Sequence, residues 1–161
     1  MISSNLVDQA CSEVNAYTDD HMMTEFDAFF KEQPSICDFI TTLTSESAMH
    51  IQELSLFLSY MVFKAVRMGQ PETVAPITPE SIEAAYRESE TWIDHINREG
   101  DGANIPADSE PYLIQYVISE LNQPLEDGKV LEDEEKGEVF FVLKTVISSM
   151  TRSPLGQIIE G

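Results

Sequence analysis

Three side chains that could hold a metal or move a proton fall on one face of a single predicted helix. Glu46, His50 and Glu53 are spaced by four and three residues, so a helix places them in one row. Di-iron helical bundles use such groups, but they repeat a Glu-x-x-His motif on two helices. None of the three histidines here has Glu three residues before it. The sequence therefore favours an ion-paired histidine over a metal site at His50.

The acidic, glycine-punctuated segment NREGDGANIPADSE, at 97–110, has part of the pattern of a calcium-binding loop. Asp101 and Asp108 fall where ligands are needed when the loop is counted from Asn97, and a glycine falls at the sharp turn. However, the first ligand is an amide, Pro106 interrupts the loop, and Asp108 is shorter than the glutamate that normally closes it. We therefore expect an acidic connector and no tight calcium site.

The usual marks of catalysis and cofactor binding are missing from the sequence. Cys11 and Cys37 lie in apolar contexts without a Cys-x-x-Cys spacing, which is typical of buried thiols in a reducing compartment. No phosphate-binding Gly-Lys-Ser/Thr motif occurs, and no serine lies in a glycine-flanked turn. We expect a non-enzymatic protein without a cofactor. A metal-dependent helical-bundle enzyme built around His50 and Glu53 is the alternative in the enzyme class.

Charge is the unusual property of this chain. It contains 29 acidic and 9 basic residues, a formal net charge of −20, and residues 71–138 hold 18 of the acids and 4 of the bases. Such a surface repels phosphate backbones and anionic membranes, so we expect no nucleic acid or membrane partner. It suits a basic protein partner, or it only keeps the protein in solution. Glu132, Asp133, Glu134 and Glu135 are the acidic residues that we predict to bind such a partner.

A second candidate surface is apolar. A short predicted helix carries five Met and Phe side chains within nine positions, namely Met22, Met23, Phe26, Phe29 and Phe30. Core packing explains this stripe, and an exposed part of it would form a partner groove or a homo-oligomer interface. We predict Met22 and Phe26 as its partner-binding residues.

The elements that must position these residues are helices. Apolar residues recur with the helical period nearly everywhere, which predicts an all-α, bundle-like domain of six to eight helices covering residues 1–161. The stretch at about 47–68 is apolar on most of its circumference and is expected to be the central buried helix. A proline-containing connector at 69–77 is a possible subdivision of the domain. Thr78 and Pro79 then open a helix, and a last helix is predicted at 139–150.

The sequence favours a cytoplasmic protein. No basic N-terminal region or signal-like apolar run is present, and the longest apolar stretch, at 54–66, has only 13 residues. We expect an acidic helical protein-interaction module, working with a protein partner or as a homo-oligomer. The alternative in the binding class is an acidic inhibitor or immunity-type protein that neutralises a basic effector.

Overall fold

The part of the chain that the structure describes forms seven α-helices, in agreement with the helical period of the sequence. The computed structural model describes residues 2–70, 75–99, 110–125 and 127–160, without the side chains of 95–99 and 152–160. Within these ranges the chain contains no β-strand. The helices are α1 (Ser4–Asn15), α2 (Asp19–Glu32), α3 (Pro34–Leu43), α4 (Met49–Gly69), α5 (Pro79–Glu99), α6 (Pro111–Leu121) and α7 (Asp133–Glu160). The all-α prediction is confirmed.

Helix starts follow local capping chemistry. The Thr18 hydroxyl accepts a hydrogen bond from the His21 amide at 3.1 Å and caps α2. The Thr78 hydroxyl accepts from the Ser81 amide at 3.1 Å, directly before Pro79. Each hydroxyl satisfies an amide that has no partner inside its own helix. The predicted start of α5 is therefore confirmed.

Helix α4 is the central buried helix, as predicted. It packs against α1, α2, α3 and α7, and Leu58 and Val62 on it are fully buried. Ser55 and Ser59 are also fully buried, and such small side chains let helices approach closely. At its C-terminal end, a Cβ atom on Gly69 would come within 2.9 Å of the Leu6 side chain, so the glycine lets α1 pack closely here without a shift of that side chain.

Helix α7 is longer than the sequence indicated. The predicted helix at 139–150 begins six residues earlier, at Asp133, and the charged stretch before Val139 forms its solvent-facing first turns. Three acidic residues in the first turn suit the positive end of the helix dipole. The apolar residues that follow are buried where α7 packs on α3, α4, α5 and α6. The acidic residues from Asp133 to Glu135 therefore belong to a helix start.

One glutamine holds the connector before α5 in place. The fully buried Gln33, between α2 and α3, donates from Nε2 to the Ala75 carbonyl at 3.0 Å. Its Oε1 accepts from the Ile77 amide at 2.9 Å. Ile77 and Ile82 are part of the same hydrophobic core as the earlier helices. The possible subdivision at 69–77 stays a prediction, since residues 71–74 lie outside the described chain.

A polar network joins α1, the link between α1 and α2, and α4. The buried Lys64 amine donates to the Tyr17 hydroxyl at 2.8 Å and to a Glu13 carboxylate oxygen at 3.3 Å. Burial alone lowers the pKa of Lys64, but the hydrogen bonds with Tyr17 and Glu13 outweigh it, so the pKa is raised overall. Lys64 is therefore charged and paired within the buried part of this helix.

Candidate functional site

An open groove lies where the start of α4 meets the segment before α7. Its volume is about 750 Å³. Its lining combines apolar side chains with charged ones: Leu54, Phe57, Leu125 and Val130, and His50, Glu53, Asp127, Lys129, Glu132 and Glu135. We call these ten residues the acidic groove.

Helix α4 supplies one wall of the acidic groove. His50, Glu53, Leu54 and Phe57 follow one another at spacings of three, one and three residues, which puts them on one helical face. Leu54 and Phe57 are half-buried against the core, and the Phe57 ring lies 6.4 Å from the ring of Phe26. The polar residues therefore stand at the rim, and the apolar pair forms the floor.

A tight turn supplies the opposite wall. The Leu125 amide donates to the Lys129 carbonyl, and the Gly128 amide donates to the Leu125 carbonyl, both at 2.8 Å. Gly128 has a φ of 83°, a left-handed conformation that favours glycine. The Asp127 carboxylate accepts from the Lys129 amide at 3.0 Å, which closes the turn from its side chain. The turn leaves Val130 57% exposed at the edge of the groove.

The start of α7 closes the groove through a capping arrangement. One oxygen of Glu135 accepts from the Glu132 amide at 3.0 Å, the side-chain half of a capping box. The other oxygen lies 2.8 Å from Nε2 of His50. The Glu132 amide and His50 together lower the pKa of Glu135. A further contact joins the Ser47 hydroxyl to the Glu138 carboxylate, so two side-chain contacts hold the start of α4 against α7.

The charges at the rim are not balanced. Four carboxylates face one lysine and one histidine in the lining. Asp127 and Glu135 are engaged by the contacts just given. Within the described part of the chain, the carboxylates of Glu53 and Glu132 have no hydrogen-bond or ion-pair partner. Two unpaired negative charges therefore stand beside an apolar floor.

His50 is paired with a residue outside the predicted row of Glu46, His50 and Glu53. His50 contacts Glu135, which lies 85 positions away in the sequence, and the exposed Glu46 does not line the groove. The described residues contain no group of three His, Cys, Asp or Glu that could hold a metal ion. The absence of a tight metal site stays a prediction. The other metal candidates, Asp101 and Asp108, lie outside the described residues.

The predicted partner-binding residues are distributed over different surfaces. Glu132 and Glu135 line the acidic groove, whereas Asp133 and Glu134 are exposed beside it. Their role in binding stays a prediction.

The apolar candidates on α2 lie elsewhere. Met22 and Phe26 pack against the core, and the Phe26 ring lies 5.1 Å from the ring of Tyr60. Met23, on the same helix, is 67% exposed. A partner-binding role for Met22 and Phe26 stays a prediction, and it would involve their remaining exposed surface.

The apolar floor of the groove was missed in the sequence. In the sequence, Leu54 and Phe57 do not differ from the other apolar residues of the predicted buried helix. Val130 is the residue that could have indicated an apolar part of this surface, because it is a β-branched residue inside the charged stretch LEDGKVLEDEEKGE.

The cysteines are apart from this site. Both thiols are free. Burial raises the pKa of the Cys37 thiol to about 12, and burial also raises the pKa of Cys11. Because the thiolate is the reactive form, neither residue is placed as a nucleophile.

Comparison with known proteins finds no relative of this chain. The chain matches no protein-family model, no curated protein and no solved structure. Among the helices of the described ranges, none has the length and apolar content required to span a bilayer.

Proposed function

We propose that this protein is a non-enzymatic interaction module whose acidic groove binds a basic, partly apolar segment of a protein partner. The observation that supports this is the juxtaposition of the apolar floor with the unpaired carboxylates of Glu53 and Glu132. A partner segment with one apolar side chain and flanking Lys or Arg residues complements both parts of the groove. The net charge of −20 favours the approach of such a segment from a distance.

The apolar floor contributes more binding energy than each ion pair at the charged rim. Burying one Leu or Phe side chain on the floor contributes about 1.5–3 kcal/mol. Each exposed ion pair at the rim contributes about 0.2–1 kcal/mol and weakens with added salt. The apolar contact therefore supplies most of the affinity. The carboxylates favour a positively charged partner over a negatively charged one, and they increase the association rate.

The experiment measures binding of a fluorescein-labelled peptide of alternating Leu and Lys by fluorescence anisotropy. The variant Glu53→Gln/Glu132→Gln removes the two unpaired charges from the groove. The control variant Asp133→Asn/Glu134→Gln removes the same charge from exposed positions in the same segment that do not line the groove. We expect the groove variant to weaken binding by roughly two- to tenfold and the control to change it much less.

Two further measurements complete the design. Val130→Ser removes an exposed apolar contact at the edge of the groove and is expected to weaken binding without lowering stability. A peptide of alternating Ser and Lys is expected to bind more weakly than the Leu and Lys peptide. Equal losses in the groove variant and the control variant would show that binding depends on net charge alone, and the proposal would then be wrong.

A further inference from the structure

A second groove lies on another part of the molecule, between α3 and α5. Its volume is about 470 Å³, and it shares no lining residue with the acidic groove. Phe39 and Leu43 from α3 and Ile82 and Tyr86 from α5 form its apolar walls. We call it the aromatic groove. The function proposed above makes no use of it.

The walls of the aromatic groove are held by contacts on both sides. The Tyr86 ring packs edge-on against Phe39, with ring centroids 6.2 Å apart, and edge-on against Phe141 at 5.2 Å. Behind them, Gln33 anchors the connector that leads into α5. Because rings and connector are fixed by packing and hydrogen bonds, the groove is formed before any ligand enters it, as is usual for small-molecule sites.

The charged groups that line the aromatic groove are all acidic. Asp38 and Glu83 line it, and its lining contains no Lys, Arg or His. Glu83 forms an ion pair with Arg87 at 2.6 Å, but both side chains are more than 60% exposed. Such an exposed pair is weak and exchanges readily for another cation.

We propose that the aromatic groove binds a small organic amine that carries an aryl or alkyl group. The apolar part of the ligand packs against Phe39, Leu43 and Tyr86, and its ammonium group faces Asp38 and Glu83. An anion is repelled by both carboxylates, and a neutral ligand of the same shape gains only the apolar contact. The groove volume lies within the range of about 300–1,000 Å³ that is typical of small-molecule sites.

The test compares two probes of one shape, 4-phenylbutylamine and 4-phenyl-1-butanol, in NMR titrations of the full chain. We expect the amine to shift the side-chain resonances of Phe39, Leu43 and Tyr86. Because the carboxylates are exposed, the amine should bind about three- to tenfold more tightly than the alcohol. Asp38→Asn/Glu83→Gln should reduce the affinity for the amine to that for the alcohol, and the affinity for the alcohol should not change.

Control measurements distinguish this site from the acidic groove. Glu53→Gln/Glu132→Gln removes the same number of charges and should leave the affinity for the amine within twofold of its original value. The proposal is overturned if amine and alcohol bind equally, if neither shifts these resonances, or if the amine shifts Leu54 and Phe57 instead. Unchanged binding of the alcohol shows that the Asp38 and Glu83 variant has kept its fold.

Discussion

Nε2 of His50 lies 2.8 Å from Oε2 of Glu135, and this contact joins the first turn of α4 to the capping box that begins α7. The two residues lie 85 positions apart in the sequence. The His50 side chain is 45% exposed and that of Glu135 27% exposed, so the pair is accessible at the rim of the acidic groove. The contact therefore belongs both to the helix start and to the proposed binding surface.

We expect His50→Ala to raise the pKa of Glu135. The Glu132 amide is the larger cause of the lowered pKa and remains in the variant, so the pKa should rise only part of the way toward the usual 4.5. A carboxyl group whose pKa is lowered in the folded state stabilises the fold at any pH above its pKa in the unfolded state. This stabilisation is lost as the pH falls through the pKa of the folded state. An NMR titration of the Glu135 side-chain carboxyl measures the change directly. An unchanged pKa would show that His50 does not stabilise the ionised carboxylate.

Gly128→Ala tests the turn that forms one wall of the acidic groove. No atom lies within 4 Å of an added Cβ, so the cost is that of the left-handed backbone alone, about 1–2 kcal/mol of unfolding free energy. The matched control is Gly137→Ala in α7, where there is also open space. Because alanine favours a helix interior, this control should stabilise the protein by about 0.5–1 kcal/mol. Urea unfolding measures both, and a loss of stability in both variants would contradict the prediction.

Gln33→Ala tests the anchor of the connector before α5. The change leaves the Ala75 carbonyl and the Ile77 amide without their side-chain partner and creates a cavity, so we expect a loss of about 2–4 kcal/mol. The control is Gln9→Ala, since Gln9 is exposed and its side chain donates an exposed hydrogen bond to the Glu13 carboxylate. Its effect should stay within about 0.5 kcal/mol. Similar losses in the two variants by urea unfolding would show that Gln33 is not an anchor.

Glu120→Gln is expected to stabilise the protein at neutral pH. Burial raises the pKa of Glu120 in the folded state above its usual 4.5, so the folded state disfavours the ionised carboxylate. The stability that this group contributes is present below the unfolded pKa and is lost as the pH rises through the raised value. The increase in unfolding free energy caused by Glu120→Gln should therefore be smaller when unfolding is measured below pH 4.5. Glu90→Gln, at an exposed position, shows how much of the gain comes from lower net charge alone.

Elements with a strong local signal could be predicted from the sequence. The all-round apolar pattern of α4 and the Thr78 cap are properties of neighbouring residues, and the structure agrees with both. The start of α7 could not be predicted from neighbouring residues, because the residues from Asp133 to Glu138 are not apolar and so show no helical pattern of hydrophobicity. Their helix is supported by a local capping box and by contacts with Ser47 and His50. Those two residues come from a distant part of the chain, so their contacts cannot be predicted from neighbouring residues.

The acidic groove could be predicted only in part, for the same reason. Single residues such as His50, Glu53, Glu132 and Glu135 were identified by their chemistry, but their meeting in one groove depends on how α4 and α7 pack. The apolar floor was hidden because Leu54 and Phe57 satisfy the same helical period as core residues. Helical period alone does not separate a half-buried side chain from a fully buried one.

The packing of α7 has a consequence for how the protein is made on the ribosome. Helix α7 covers faces of α3, α4, α5 and α6, yet it is synthesised after all of them. The nascent chain therefore carries the apolar surface of α4 uncovered while residues 70–132 are being added, which at about 5–20 residues per second is several seconds. During that interval the surface is open to aggregation, and ribosome-associated chaperones are the expected binders. Codon changes that slow translation between α4 and α7 should lower the yield of folded protein.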